Sequence, residues 1–455
     1  MSLSIIILAA GKGTRMKSNK PKVMHTLGGK PLLQHVVDTA KKLNPTELAV
    51  VCGNGASDVV PYLEGQGIQT AIQHEQKGTG HAVEQAKDYF QNSDQVLVLY
   101  GDVPMIEIDT LQALIDEGDS NSLKVLTALL DNPTGYGRIV RDFDDKMLRI
   151  TEEKDADEET KLINEVNTGI MCIPAKWLDE ALTKLDNNNA QGEYYLTDLI
   201  AQAVEQSIEI DSVVCEDEME VAGVNNRVQL AELESYYQQK RATDLMMAGV
   251  TFRDPARVDI RGEITAGQDI TVDINVIFEG NNTIADNVEI GANCIIINSV
   301  IHEGAEILPN SIIENAEVGT NCSVGPFARL RPGTVMSAKA KVGNFVEVKN
   351  ANIGLGSKIN HLSYIGDTDM GADVNIGAGT ITCNYDGANK HRTIIGDRVF
   401  VGSDTQLVAP VIVEDGATIG AGSTIRKTAP AEALTLTVSK QKTVEGWKRP
   451  VKKKS

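Results

Sequence analysis

From residue 258 onward the sequence repeats every six residues, and this period restricts the fold more than any other feature of the chain. Counting in sixes gives Val258, Ile264, Ile270 and Val276, then Ile284, Ile290 and Ile296, then Ile301, Ile307 and Ile313. The series continues through Val318, Val324, Leu330, Met336, Val342 and Val348, then Ile353, Ile359 and Ile365, then Met370 and Ile376. It closes with Ile395, Val401, Leu407, Val413, Ile419 and Ile425. Every position is a branched aliphatic, Leu or Met, and several joins are five-residue steps. A period of six fits neither strand alternation nor the helical turn, and it is the signature of a parallel β-helix. Three hexads close a triangular coil, coils stack at a strand spacing of about 4.8 Å, and the aliphatics point inward. The composition agrees, because 40 glycines and only 4% aromatics suit a core packed from small branched side chains. Between Ile376 and Ile395 the hexad lapses, so Cys383 to Thr393 is expected to leave the coil as a loop.

At 455 residues the chain exceeds the size at which one core stops growing, and its first half has a different grammar. Ile5 to Leu8, Leu48 to Val51, Val96 to Leu99 and Val125 to Leu130 read as buried strands with amphipathic helices between, an α/β pattern with a largely parallel sheet. Asn226 to Ala248 reads as a helix closed by Gly249. The expected domains are therefore 1–226, a linking helix 227–249, and the coil 250–455. A net charge of −20 argues against coating nucleic acid, and an anionic substrate would need a local cationic pocket. The basic run Lys452-Lys453-Lys454 reads as a solvated tail. Six scattered cysteines form neither a zinc pattern nor a disulfide framework, and the apolar run from Ile5 to Ala10 is too short to cross a bilayer. A cytoplasmic protein with no membrane insertion and no nucleic-acid partner is expected.

Directly after the first strand stands L-A-A-G-K-G-T-R-M, Leu8 to Met16, followed by Pro21-Lys22. Gly11 and Gly13 allow close approach of a phosphate, and Arg15 and Lys22 supply cations. The segment is neither a P-loop nor a dinucleotide fingerprint, since Met16 stands where the third glycine would be. Tyr100-Gly101-Asp102 ends another strand in a carboxylate, a position from which a metal can be held, although such an Asp also serves as a plain turn residue. In the second half Arg331 and Lys349 each follow an inward residue and lie eighteen apart, one coil, so two cations should stack and attract an anion. Ser403 and Ala421 also lie eighteen apart, two past inward aliphatics, where small side chains expose the backbone or simply suit tight corners. His361, two past Ile359, should face outward at a corner. His25, His35, His74, His302 and His391 read as solvated, and His81 is left open.

In the first half L-A-A-G-K-G-T-R-M, Pro21-Lys22 and Tyr100-Gly101-Asp102, with Gln73, Gly78-Thr79, Gly137, N-T-G at Asn167 to Gly169 and G-E-Y-Y-L-T-D at Gly192 to Asp198, resemble sugar-1-phosphate nucleotidyltransferases. Joined to the hexapeptide half, the whole chain resembles the bacterial bifunctional N-acetylglucosamine-1-phosphate uridyltransferases/glucosamine-1-phosphate acetyltransferases. The resemblance implies a Rossmann-like α/β domain, a linking helix and a left-handed parallel β-helix that assembles as a homotrimer. It implies acetyl transfer from acetyl-CoA to glucosamine-1-phosphate, then uridylyl transfer from UTP with release of pyrophosphate. Leu8, Ala10, Gly11, Lys22, Gln73, Gly78, Thr79, Tyr100, Gly101 and Asp102 would hold the nucleotide, with Gly137, Glu152, Asn167 and Asn225 on the sugar side. Asp102 and Asn225 would bind Mg²⁺, Arg15 would meet the leaving pyrophosphate, and Lys22 the phosphates. In the coil, His361 would be the general base. Arg331, Lys349, Tyr364, Asn375 and Lys390 would bind the sugar phosphate, and Ala378, Asn384, Tyr385, Ser403 and Ala421 would contact acetyl-CoA. Asn384 could either orient His361 or polarise the thioester. Lys440 stands in Thr437-Val438-Ser439-Lys440 where relatives carry an Arg, which costs a planar bidentate contact. A single-activity nucleotidyltransferase with a structural coil is the alternative.

Overall fold

The computed structural model describes residues 1–452, so the basic run beyond Lys452 lies outside the described residues. The chain divides into two compact units, 1–238 and 239–455, which part within the helix Arg227–Met247 that the sequence places at 227–249.

In the first unit the apolar runs become the strands Leu3–Ala9, Glu47–Cys52, Gln95–Tyr100 and Leu123–Leu129. Leu3–Ala9 pairs in parallel with both Glu47–Cys52 and Gln95–Tyr100, and Ile210–Cys215 pairs in parallel with Leu123–Leu129. The sheet is largely parallel, as expected, with antiparallel pairing at Glu165–Pro174, Arg138–Arg141 and Met147–Thr151. Glu165–Pro174 runs antiparallel between Gln95–Tyr100 and Leu123–Leu129, with an irregularity between Asn167 and Met171. Strands buried on both faces read as unbroken apolar runs, and Ile5, Ile6 and Ile7 are fully enclosed between two helical layers.

The second unit is the stacked coil. Short parallel strands form an eleven-stranded sheet and a fifteen-stranded sheet, and the second folds round a corner through Glu347–Ile353 and Tyr364–Met370, giving three faces. Register follows the hexads: Leu330 pairs with Val348, Val348 with Ile365, Val342 with Ile359, and Val401 with Ile419. Every hexad residue except the partly covered Ile264 is buried in one continuous core. Corners turn on left-handed residues, many of them Gly, Asn or Asp, and the short Asn and Asp side chains tolerate positive φ. The lapse in the hexad is the excursion 384–392, folded on itself by an antiparallel bridge between Tyr385 and Lys390.

Two of the histidines read as solvated are not. His25 is buried, and His35 bonds the Leu27 carbonyl through Nε2 at 2.9 Å while meeting the Tyr237 ring edge-on. Burial lowers the pKa of both. All six cysteines are free thiols.

Candidate active sites

At the carboxyl edge of the parallel strands lies a cavity of about 550 Å³. Its lining includes Leu8, Ala10, Gly11, Arg15, Lys22, Gln73, Gly78, Thr79, Tyr100 and Asp102 from the sequence reading. The chain reaches it by turns that require glycine. Gly13 has φ of 57°, and a Cβ there would sit 2.8 Å from the Lys22 Cβ. At Gly78, φ 116°, a Cβ would fall 2.4 Å from the Tyr194 carbonyl oxygen. The segment Gly192 to Asp198 packs on this turn, with Tyr194 N donating to the Lys77 carbonyl at 2.8 Å and Leu196 N to Thr79 Oγ1 at 3.0 Å. Gln73, only 3% exposed, donates from Nε2 to the Gly78 carbonyl and meets His81 Nδ1, both at 3.0 Å. With its nitrogen occupied, its oxygen is left for the cavity.

The charged end is a compact set. Lys22 forms an ion pair with Asp102 Oδ2, both side chains 15% exposed, and also donates to Asn225 Oδ1 at 3.2 Å. Arg15 Nη2 donates to the same Asn225 oxygen at 2.8 Å. Asn225 arrives because Val224 N bonds the Asp102 carbonyl at 2.9 Å. Gly101, Gly137, Glu152, Asn167 and Asn225 do not line the cavity itself. Gly137 accepts from Asn167 N at 2.8 Å and leaves room for Glu152, which accepts from Thr197 Oγ1 at 3.2 Å. Burial raises the Glu152 pKa, opposed by that hydrogen bond. Tyr100 connects the two groups, since it lines the cavity and abuts Gly169. Sequence reasoning passed over Lys12, Gln76, Gln191 and Glu193, all in the lining. Lys12 lies inside the quoted glycine-rich motif and Glu193 inside G-E-Y-Y-L-T-D, so a signal was present.

In the second unit the column two past the inward aliphatics holds Asn344, His361, Ala378, Ser403 and Ala421. Its members are tied by register and by bonds such as Gly422 N to the Ser403 carbonyl and Asp404 N to the Ala378 carbonyl, each 2.8 Å. Gly377 and Gly402 precede two of these positions, and a Cβ on either would meet the next rung's backbone at 2.5 Å. His361 Nδ1 pairs with Asn344 Oδ1 at 2.8 Å, a partner the sequence reading missed although it lies seventeen residues back, one short coil. On the adjoining face Arg331 N donates to the Val348 carbonyl at 2.8 Å, which places Arg331 and Lys349 on successive rungs as expected. Arg331 is also held by Glu347 at 2.7 Å, and Lys390 from the excursion lies against Lys349. Asn384 donates to Asp367 Oδ2. Tyr364 shares the Arg331 face, whereas Asn375 pairs with Lys358 on the His361 face and is not brought to the cations within one chain. Tyr385 and Lys440 are exposed.

Among the described residues no group of three or more His, Cys, Asp or Glu could hold a metal, and no helix is long and apolar enough to cross a membrane. A nucleotide-sized cavity with cations on one sheet edge fits a nucleotidyltransferase, and a hexapeptide coil in the same chain fits an acyltransferase. Residues 5–163 match the MobA-like NTP transferase domain, 260–360 the GMPPB C-terminal domain, and 392–427 the bacterial transferase hexapeptide family. "Bifunctional protein GlmU" of Stutzerimonas stutzeri is 52% identical over 453 residues, covering 100% of both chains. Proteins of the same name from Marinobacter nauticus and Pseudomonas putida are also 52% identical, covering 99% and 100% of each chain respectively. The chain belongs to the bifunctional GlmU family and has both activities, uridylyl transfer and acetyl transfer.

Proposed function

We propose that the protein makes UDP-N-acetylglucosamine, acetylating glucosamine-1-phosphate on the coil and uridylylating the product in the cavity of the first unit. The observation that carries this reading is the pairing of two separate sites in one chain. One is the cavity ending in Lys22, Arg15, Asp102 and Asn225, and the other is the His361 column with the Arg331 and Lys349 cations on the adjoining face.

In uridylyl transfer a phosphate oxygen of the sugar attacks the α-phosphorus of UTP, the bond to the β-phosphate bridge breaks, and pyrophosphate leaves. The nucleophile is already an anion, so no general base is needed and charge neutralisation is the task. Arg15 and Lys22 are parked on Asn225 and Asp102 and would transfer to the phosphates as these arrive. The two oxygens thus released, one carboxylate and one amide, form an oxygen-only donor set that fits a hard divalent cation, Mg²⁺ in this reading. When bound, that cation would neutralise charge at the reacting phosphates. Gln73 presents an acceptor oxygen suited to the N3–H of uracil.

In acetyl transfer the amine nitrogen attacks the thioester carbonyl, its proton passes to a base, the C–S bond breaks and CoA leaves as a thiol. With Nδ1–H donated to Asn344, the free Nε2 of His361 is the acceptor. Ala378, Ser403 and Ala421 continue the same edge as a track for the pantetheine arm, with Lys440 and Tyr385 further out. Arg331, Lys349 and Lys390 would take the sugar phosphate, Tyr364 the ring, and Asn375 the side facing His361.

Asn375 and the cations lie on different faces, which favours a site completed by a second copy and hence a homotrimer. The stacked corner pair Phe327 and Phe345, ring centroids 5.4 Å apart and each more than half exposed, offers an apolar surface for it. Free cysteines accord with a cytoplasmic location. The test is to mix the protein with glucosamine-1-phosphate, acetyl-CoA, UTP and Mg²⁺ and follow thiol and pyrophosphate separately. Both should appear, and pyrophosphate should await thiol. Failure to release thiol would restore the single-activity alternative.

A further inference from the structure

One corner of the coil carries the sequence Asn298, Asn315, Gly333, Asn350, Asp367 and Asn384 on successive rungs. Asn298, Asn315, Asn350 and Asp367 have φ of 45, 45, 46 and 47°. Asn serves this left-handed corner as well as Asp does, so backbone geometry alone does not call for an acid. The single acid follows Gly366, the rung partner of Lys349, and is bonded by Asn384, where the excursion that carries Lys390 begins. Asp367 is 7% exposed, and a carboxylate so covered is costly unless it is paired. Its Oδ1 accepts from Asn350 Nδ2 at 2.5 Å and its Oδ2 from Asn384 Nδ2.

An ionised carboxylate can only accept, so the Asn384 nitrogen must face the ladder and its oxygen must face away. The charges turned toward Asp367 are Lys349, Lys390 and Arg392, and Arg331 on the neighbouring rung faces Lys349. Burial by itself would raise the Asp367 pKa, but the two amides and the two lysines hold it below the ordinary carboxylate value. Contact with Lys390 lowers the Lys349 pKa, burial and Arg331 add to this, and Asp367 opposes it.

We propose that Asp367 is a positioning residue for acetyl transfer. It fixes the Asn384 amide in one orientation, and its buried charge, without an ion pair to either, offsets the repulsion between Lys349 and Lys390, the two cations for the acceptor's phosphate. The inference rests on the reading of Lys349, Lys390 and Asn384 as substrate contacts.

Asp367→Asn is nearly isosteric and keeps a residue suited to the corner. It should lower kcat/KM for acetyl transfer about tenfold, the scale of one lost charge-assisted hydrogen bond. The KM for glucosamine-1-phosphate should rise, and its alkaline limb should move to lower pH because Lys349 loses the charge that opposes Lys390. Pyrophosphate release from UTP and N-acetylglucosamine-1-phosphate should not change. A merely structural role would leave the alkaline limb in place. Should Asp367→Asn not fold, Lys390→Ala, which removes the cation that lowers the Lys349 pKa, must move that limb to higher pH, and no movement overturns the proposal. Unchanged acetyl kinetics in Asp367→Asn, while Lys349→Ala still loses acetyl transfer, would also overturn it. If Lys349→Ala itself retains acetyl transfer, the reading of the site has failed as well.

Discussion

The two units position functional groups by opposite means. In the coil, place follows from counting: Leu330 pairs with Val348, so Arg331 and Lys349 stack, and Val342 with Ile359, so Asn344 meets His361. In the α/β unit, Leu8, Lys22, Gln73, Asp102 and Asn225 come from five separate segments, and only the closing of the sheet and the Val224–Asp102 backbone bond bring them together. A coil is a ruler whose error accumulates, because each rung takes its register from the last. A sheet edge is an assembly whose loops can be altered one at a time.

The contrast can be broken most forcefully by inserting one residue. A glycine placed between Ile365 and Gly366 should turn the following side chains to the wrong face and reduce acetyl transfer at least about a hundredfold. The same insertion at the exposed turn between Asp144 and Asp145 should leave both activities within about twofold, measured by thiol and pyrophosphate release. Next in size, Ile376→Ala removes a buried side chain from the coil core and should cost about 2–5 kcal/mol by denaturant unfolding of that unit. Asn344→Leu should lower kcat for acetyl transfer about tenfold with little change in KM, because His361 loses the partner of its Nδ1.

The smallest effect concerns Asp198, whose pKa is raised from 3.8 to about 6 by burial, then by Asp186 and Asp155. The folded state therefore binds the extra proton between these values. This group's contribution is full below 3.8 and is lost as pH rises through about 6. Asp198→Asn should stabilise the first unit at neutral pH by no more than about 1 kcal/mol, since solvent screens the half-covered carboxylate. It should do nothing below about pH 4, and thermal unfolding at the two pH values would check this.

What the sequence disclosed follows the same division. The six-residue period exposed nearly every core position and rung partner of the coil, because there the physical neighbour lies a fixed number of residues away. Asn344 and Asp367 were not singled out, although counting seventeen from His361 and Asn384 reaches them, because an uncharged amide or a corner Asp carries no chemical signal of its own. In the first unit the glycine-rich turn and Asp102 were legible as types. Their meeting with Asn225, the bonds from Gln73 to Gly78 and His81, and the antiparallel strand Glu165–Pro174 were not, since no local spacing encodes contacts made across so much chain. His25 and His35 failed for the same reason, because their burial depends on elements distant in sequence.

The central claim is that the chain carries two chemically independent sites, and reciprocal variants assayed for both products test it most directly. With all substrates present and N-acetylglucosamine-1-phosphate supplied to bypass the first step, Asp102→Ala should stop pyrophosphate release while thiol release continues. His361→Ala should stop thiol release while pyrophosphate release continues. If either variant, folded as the wild type, lost both products together, the two sites would not be independent.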